Sequence, residues 1–191
     1  MYNPNDMIGN QLRIQKLQQV MTQFVQSTNV GNAKSQNHEG IIWFSGGTDD
    51  LYYTTSPGQT LTGSIPALMQ SINNISQGTG TTYQPPMQTA QLQGWLPNNG
   101  GRPGSHKILV FVTDGLDEDP NDQALATATA NNMRNNMGVT IYSIGISNIT
   151  TYFKGLMDIA NQPSSTYFIN ATQPADLDNM FNKIAAGVQC G

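Results

Sequence analysis

Cysteine is almost missing from this chain. Cys190, beside the last residue, is the single one among 191 residues. No disulfide can close within the chain, and no Cys-based zinc cluster can be built. Histidine is nearly as scarce: His38 and His106 stand far apart, each ahead of a predicted strand, and read as solvated loop residues. Charge is thin. Asp, Glu, Lys and Arg make up 10% of the chain, against a usual share of roughly a quarter. Eight basic residues face twelve acidic ones, for a net charge of −4. Without a basic stripe to neutralise phosphates, nucleic-acid binding is excluded. No apolar run approaches the ~18 residues of a membrane span. The opening Met1-Tyr2-Asn3-Pro4-Asn5-Asp6 has neither the cationic region nor the apolar core of a signal peptide, so a secretion signal would lie outside these residues.

What is present is a polar but uncharged surface of Asn, Gln, Thr, Ser and Gly, suited to an extracellular protein or a particle subunit. The length fits one domain over residues 1–191. Residues 10–28 carry Ile14, Leu17, Met21 and Phe24 at helical spacing. Glu39 to Ser45 is a short apolar run, Gly46 to Asp50 a turn, with Asp49 and Asp50 as turn residues, and Leu51 to Thr55 a β-rich run. Together they predict an antiparallel hairpin at a sheet edge. Residues 63–76 read as a helix through Ile65, Leu68, Met69 and Ile72. Gly78 to Thr82 is a small-residue loop, followed by a helix through Met87 and Ala90 to about Gly94.

After a loop at 97–104 comes the strongest strand, Lys107-Ile108-Leu109-Val110-Phe111-Val112. Being apolar on both faces, it predicts a central parallel strand covered by helices. Asp119 and Pro120 open a helix as N-cap and first residue, Ala124, Ala128 and Met133 are expected to face inward, and Gly138 ends it. Val139 to Ile146 is the next strand, 150–161 a short helix, Ser165 to Ile169 the last strand, and 174–187 a closing helix through Leu177, Phe181 and Ile184. Met133, Met137, Met157 and Met180 read as core packing. The alternation of strand and helix gives an α/β, three-layer, Rossmann-like fold, with a mostly parallel sheet, helices on both faces and one antiparallel edge hairpin.

Ligands of such sheets bind beyond the carboxyl ends of the strands. The residues expected there are Thr113-Asp114-Gly115, with the Gly78 to Thr82 loop able to converge on them. A carboxylate beside hydroxyls suits a hard cation such as magnesium, which takes oxygen ligands and keeps several sites for water or a partner. The plain alternative is that Asp114 caps a turn and the threonines are ordinary loop residues.

The element order, the run from Lys107 into Thr113-Asp114-Gly115, and Gly80-Thr81-Thr82 ahead of Pro86-Met87 and Ala90 resemble a von Willebrand factor type A domain. Tyr142 to Ile146, and Asp176-Leu177 through Ile184, extend the resemblance over nearly the whole chain. It implies a metal-ion-dependent adhesion site with Asp114 as its third part and Thr81 as its second, Thr82 and Thr79 being the alternatives. The family's first motif, Asp-x-Ser-x-Ser at the end of the first strand, is not found in the sequence. The resemblance places that strand mid-sheet beside 107–112, so the domain reads as N-terminally incomplete, with Met1 in the place of the methionine just after the motif.

Three explanations stand: a truncated chain, a strand donated by another chain, or a sheet rebuilt differently. With two of the usual five side-chain ligands, residues 1–191 alone are expected to bind metal weakly or not at all. A longer chain with the first motif could bind Mg2+, or Ca2+ or Mn2+, with a partner's acidic group completing the coordination.

Asp117, Glu118 and Asp119, with Asp122, follow Asp114 and either meet a partner or form a solvated loop and an acidic helix start. Asn74, Asn148 and Asn170 lie in glycosylation triplets. The resemblance also suggests a disulfide from Cys190 to a cysteine upstream of Met1; a tail thiol is the alternative. No nucleophile–base–orienter set, Gly-x-Ser-x-Gly elbow or phosphate loop is found, so the expectation is non-enzymatic. The leading reading is an adhesion or protein-interaction module of an extracellular or surface assembly, with a protein ligand or neighbouring subunit as partner. The alternative is a structural subunit of a filament, pilus, capsid or matrix whose metal site is dead.

Overall fold

The computed structural model describes residues 7–44, 51–53, 61–76, 80–117, 119–147 and 153–188. A two-residue ribbon, β1 (Met7–Ile8) and β2 (Gln11–Leu12), leads into α1 (Arg13–Ser27). β3 (Ile42–Phe44) and β4 (Leu51–Tyr53) pair antiparallel, Trp43 opposite Tyr52, which is the expected hairpin. α2 (Ile65–Asn74) is capped by Ser64, whose hydroxyl accepts from the Ala67 amide, and Pro66 sits in its first turn. α3 (Gln84–Gln93) follows.

The main sheet is built from β5 (Lys107–Thr113), β6 (Val139–Gly145) and β7 (Phe168–Asn170), all parallel, in the order β5-β6-β7. The crossovers are α4 (Pro120–Met137), then α5 (Lys154–Ile159) with the single turn α6 (Ser164–Tyr167); α7 (Pro174–Val188) closes the chain. Gly138 ends α4 at φ 66°, the left-handed conformation expected of a C-terminal glycine.

Alternation along β5 and β6 divides the core into two clusters. Leu109 and Phe111 of β5 and Val139 and Ile141 of β6 face α3, α4 and α5 through Met87, Met133 and Leu156. Ile108, Val110 and Val112, with Tyr142 and Ile144, face α1 and α7 through Val20, Leu177 and Ile184. Helices therefore cover both faces, which is the expected three-layer α/β arrangement. One buried cation ties the second layer together. Lys16 Nζ of α1 lies 2.6 and 2.8 Å from the two oxygens of Asp178 on α7, with the lysine side chain only 6% exposed.

Four expectations are corrected. Ser165 to Tyr167 form the helical turn α6, and the strand begins only at Phe168. Its β-rich composition is overridden by the bond from the Thr166 amide to the Pro163 carbonyl. In α4 the inward face is Ala126, Thr129, Ala130 and Met133. Ala124 and Ala128 are exposed, because they lie off that i, i+3, i+4, i+7 stripe. Met157 is 39% exposed, since α5 buries Leu156 and Ile159 and turns Met157 outward. Ile108, Leu109, Val110 and Val112 are only partly buried, because β5 pairs with β6 alone among the described residues.

Asp178→Ala is expected to destabilise the protein by about 1–3 kcal/mol, since it strands a buried ammonium. Lys16→Met should cost less, because Asp178 can then turn to water. Urea denaturation of the two variants checks the order, and the reverse order would show that the lysine is not the constrained partner.

Candidate functional site

The carboxyl end of β5 runs into a tight corner. Thr113 is buried, and its hydroxyl accepts from the Gly115 amide at 3.2 Å. This folds the chain so that Asp114 projects outward, its side chain 53% exposed. Arg13, the first residue of α1, places a guanidinium nitrogen 3.3 Å from Asp114 Oδ2. The same side chain donates from Nε to the Met7 carbonyl at 3.4 Å. Arg13 therefore links the β1–β2 ribbon to the end of the main sheet.

The threonine loop arrives at this corner, as the sequence suggested. Thr81 lies against Gly115 so closely that a Cβ there would overlap its Oγ1. Asp114 and Thr81, separated by 33 positions in sequence, thus sit on either side of one glycine. Thr82 Oγ1 is buried with no hydrogen-bond partner among the described residues. Thr79 and Glu118 lie outside the described residues, as do Asn148, Cys190, Asp49 and Asp50.

Asp117 departs from both sequence readings, a partner contact and a solvated loop. It is 1% exposed. Its Oδ2 accepts from the Tyr83 amide at 2.9 Å and its Oδ1 from the Asp119 amide at 3.0 Å. Asp122 Oδ2 accepts from the amides of Tyr83 and Gln84 at 2.7 and 2.8 Å. α3 has no N-cap side chain of its own. Two carboxylates from the loop and start of α4 supply that cap, where the helix dipole favours negative charge. A buried partner for orphan amides is why Asp117 cannot reach solvent. Asp119 is exposed and caps α4 by accepting from the Asn121 amide at 2.9 Å, as expected.

Burial, followed by the hydrogen bond with the neighbouring Asp122 carboxyl, pushes the Asp117 carboxyl up to about 6. The amides of Tyr83 and Asp119 pull it the other way. Burial also pushes the Tyr83 phenol up to about 12. That phenol donates to the Gly115 carbonyl at 2.9 Å, bracing the corner from beneath.

Sequence reasoning missed Arg13 and Tyr83. Arg13 carried a weak signal as a cation opening a helix that joins the ribbon. Tyr83 directly follows the two threonines, but nothing in its neighbours announced that it would be fully buried. Of the glycosylation candidates within the described residues, Asn74 is exposed at the end of α2. Asn170 is half-buried in β7 with Oδ1 shut from solvent, a poor seat for an oligosaccharide.

The oxygen donors at the corner are the Asp114 carboxylate and the Thr81 hydroxyl. Among the described residues no group of three or more Asp, Glu, His or Cys converges as a metal site. Asp114 already carries a guanidinium. Most of the six or more oxygen ligands that Ca2+ or Mg2+ takes would have to be water, so this pair alone, with its one carboxylate paired to Arg13, is a weak seat for a divalent cation.

Two expected outcomes follow from this geometry. Gly115→Ala should lower stability by about 1–3 kcal/mol through overlap with Thr81, read as a fall in urea midpoint; an unchanged midpoint would mean the two segments are not in contact. Asp117 should titrate near 6 by carboxyl 13C NMR. Its folded-state value is raised, so its contribution to stability is full below the unfolded value of about 4. That contribution is lost as pH rises through about 6. Asp122→Asn should lower the Asp117 midpoint and flatten this loss, whereas a wild-type midpoint near 4 would contradict the paired-carboxyl geometry.

Comparison with known proteins agrees with the fold. The chain is 24% identical over 127 residues to integrin alpha-10 of Homo sapiens, an alignment covering 61% of this chain and 10% of that protein. Proximal thread matrix protein 1 of the mussel byssus, in a structure with a zinc-occupied MIDAS motif, superposes with a TM-score of 0.71 at 19% identity. That match covers 93% of this chain and 43% of the other. The pilus adhesin SpaC of Lactobacillus rhamnosus GG gives a TM-score of 0.71 at 13% identity, covering 93% and 28%. The chain thus spans under half the length of each of these relatives. The family model for the von Willebrand factor type A domain matches residues 7–183, and the chain belongs to that family.

Proposed function

We propose that this chain is a non-enzymatic protein-interaction module of an extracellular or surface assembly, contacting its partner at the corner after β5. The observation that carries this is the exposed Asp114 carboxylate, presented at the carboxyl end of a parallel strand with Thr81 packed behind it. That is where open α/β sheets receive ligands. Asp119 is exposed as well, with its carboxylate capping α4. Relatives of the fold include an integrin, a byssal matrix protein and a pilus adhesin, which supports adhesion or assembly as the class of task. No described helix is long and apolar enough to cross a membrane.

A second reading has its own support. Arg13 already satisfies Asp114, which favours a structural subunit whose corner works without metal. The two readings separate on cation dependence. In the adhesive reading, a divalent cation such as Mg2+, Ca2+ or Mn2+ reaches the corner only when further oxygen ligands join Asp114 and Thr81, from a partner or from additional polypeptide. The cation would then polarise the contact and draw in a partner's acidic group.

Residues 1–191 titrated with MgCl2 by calorimetry are expected to show weak or no binding, with Kd above about 1 mM, some −4 kcal/mol or weaker. Tight binding would mean that the donor set is larger than Asp114 and Thr81. Once a partner is in hand, Asp114→Ala should weaken its binding at least about tenfold, or 1.4 kcal/mol, with the melting temperature held. Unchanged affinity with chelator-insensitive binding moves the structural-subunit reading ahead.

A further inference from the structure

Thr28 caps the carboxyl end of α1 and is 0% exposed. Its hydroxyl oxygen has two oxygen neighbours. The Phe24 carbonyl lies 2.9 Å away, and Oε1 of Glu39 is also within hydrogen-bond distance. Each contact needs a proton between the oxygens, because facing lone pairs repel. A threonine hydroxyl carries one proton and a carbonyl oxygen carries none. The second proton therefore comes from the Glu39 carboxyl. The order is a relay: the Glu39 acid donates to the Thr28 hydroxyl, and that hydroxyl donates to the Phe24 carbonyl. The Ser27 hydroxyl donates to the same carbonyl at 2.9 Å, which fills its second lone pair.

Glu39 is half-buried in the wall of the groove between β3 and β5. Its backbone is fixed on both sides by a bridge to Thr62, at 3.0 and 2.7 Å. The loop before it folds back on α1. The Asn37 amide donates to the Asn29 carbonyl at 3.0 Å, the Gly31 amide to the Asn37 carbonyl at 3.1 Å, and the Asn37 side chain to the Thr28 carbonyl. Glu39 thus stands where the end of α1, the 29–38 loop and the approach to α2 meet.

No cation offsets a charge at this position. The charged and titratable neighbours are Lys34 and His38 on the same loop, and Arg102 and His106 on the segment before β5, all in the wall of the same groove. Arg102 is engaged by the carbonyls of Ala33, Lys34 and Gln36, and His38 Nδ1 by that of Gly100. Lys34 and His106 are exposed. α1 has no basic residue in its last turn, and α2 no acidic residue in its first. Among the described residues, none of these cations is ion-paired with Glu39. Burial raises the Glu39 carboxyl above its ordinary range, and a hydroxyl donating to it would pull it the other way. With the Thr28 proton directed to Phe24, that pull is absent.

We propose that Glu39 is a proton-operated latch: as the neutral acid it fastens the 29–38 loop to the end of α1 through Thr28, and as the carboxylate it releases it. Ionisation removes the donor. Thr28 can then keep Phe24 or turn to Glu39, but not serve both. The sign follows from the raised carboxyl. The latch is fully closed below the ordinary glutamate value of 4.5 and is lost as pH rises through the folded-state value. Its neighbours Arg102 and His106 precede β5, whereas Asp114 follows it, so the latch and the contact corner lie at opposite ends of that strand and act independently.

Glu39 and Glu118 are the two glutamates of the chain. Glu118→Gln in protein labelled with 13Cδ-glutamate therefore leaves one carboxyl resonance to follow by NMR. Its midpoint is expected above 4.5. Thr28→Val then decides which group gives the proton. If the acid donates to Thr28, valine removes the acceptor of the neutral form and the midpoint falls. If Thr28 donates to a carboxylate, valine removes that donor and the midpoint rises, which would overturn the proposal. The latch itself is read from amide exchange at Gly31 and Asn37, comparing wild type with Glu39→Gln at each pH. The glutamine amide donates to Thr28 at every pH. The two proteins should exchange alike below the midpoint, and wild type at least about tenfold faster above it, the worth of one hydrogen bond. Equal exchange across the whole titration, or a wild-type midpoint at or below 4.5, would overturn the proposal. The glutamine comparison does not need the valine variant to fold.

Discussion

The seven-residue parallel ladder between β5 and β6, from Lys107 opposite Val139 to Thr113 opposite Gly145, is the constraint on which the other elements depend. A parallel pair needs both faces covered. That requirement draws α3, α4 and α5 to one side and α1 and α7 to the other. It also fixes where both strands end. The Ile146 amide donates to the Thr113 carbonyl at 2.8 Å, so the chain leaves the sheet at a defined level. From that level Asp114 projects into solvent.

The corner is held by polar groups that do different work at different depths. Buried Asp117 and half-buried Asp122 serve the first amides of α3 and so lock the threonine loop to the start of α4. Fully buried Tyr83 joins α3 to Gly115. Asp114 is outermost, and its partner is a side chain from the other layer, Arg13. An exposed pair of this kind is worth little to stability. It sets the charge the corner shows to a partner. The acidic run after Thr113 is thus not one patch: Asp117 is buried on backbone amides, Asp119 caps α4 and Asp114 pairs with Arg13 at the exposed corner.

The fold was legible where periodicity and end signals agreed. β5, β6, α4 with its Asp119 cap and Gly138 stop, and the β3–β4 hairpin all follow from local pattern. α6 was not legible, because Ser165, Thr166 and Tyr167 have strand composition, while a local turn bond from the Thr166 amide to the Pro163 carbonyl winds them into a helical turn. The phase of α4 was misjudged because alanines at 124, 126, 128 and 130 mark no face by themselves. At the site, Asp114 and Thr81 were visible through motif order. Their neighbours Arg13 and Tyr83 were not: a cation 101 residues from its partner leaves only a weak local signal, and a tyrosine buried by packing leaves none.

The central claim is that β5 is a central strand by composition and, among the described residues, one-sided by pairing, with the contact corner at its end. Amide hydrogen exchange on residues 1–191 tests it most directly. The account predicts slow exchange throughout β6. In β5 it predicts alternation, with the amides turned toward the groove exchanging roughly 100-fold faster than those bonded to β6. Uniform protection along Ile108 to Thr113, equal to that of β6, would contradict it, because both edges of β5 would then be paired.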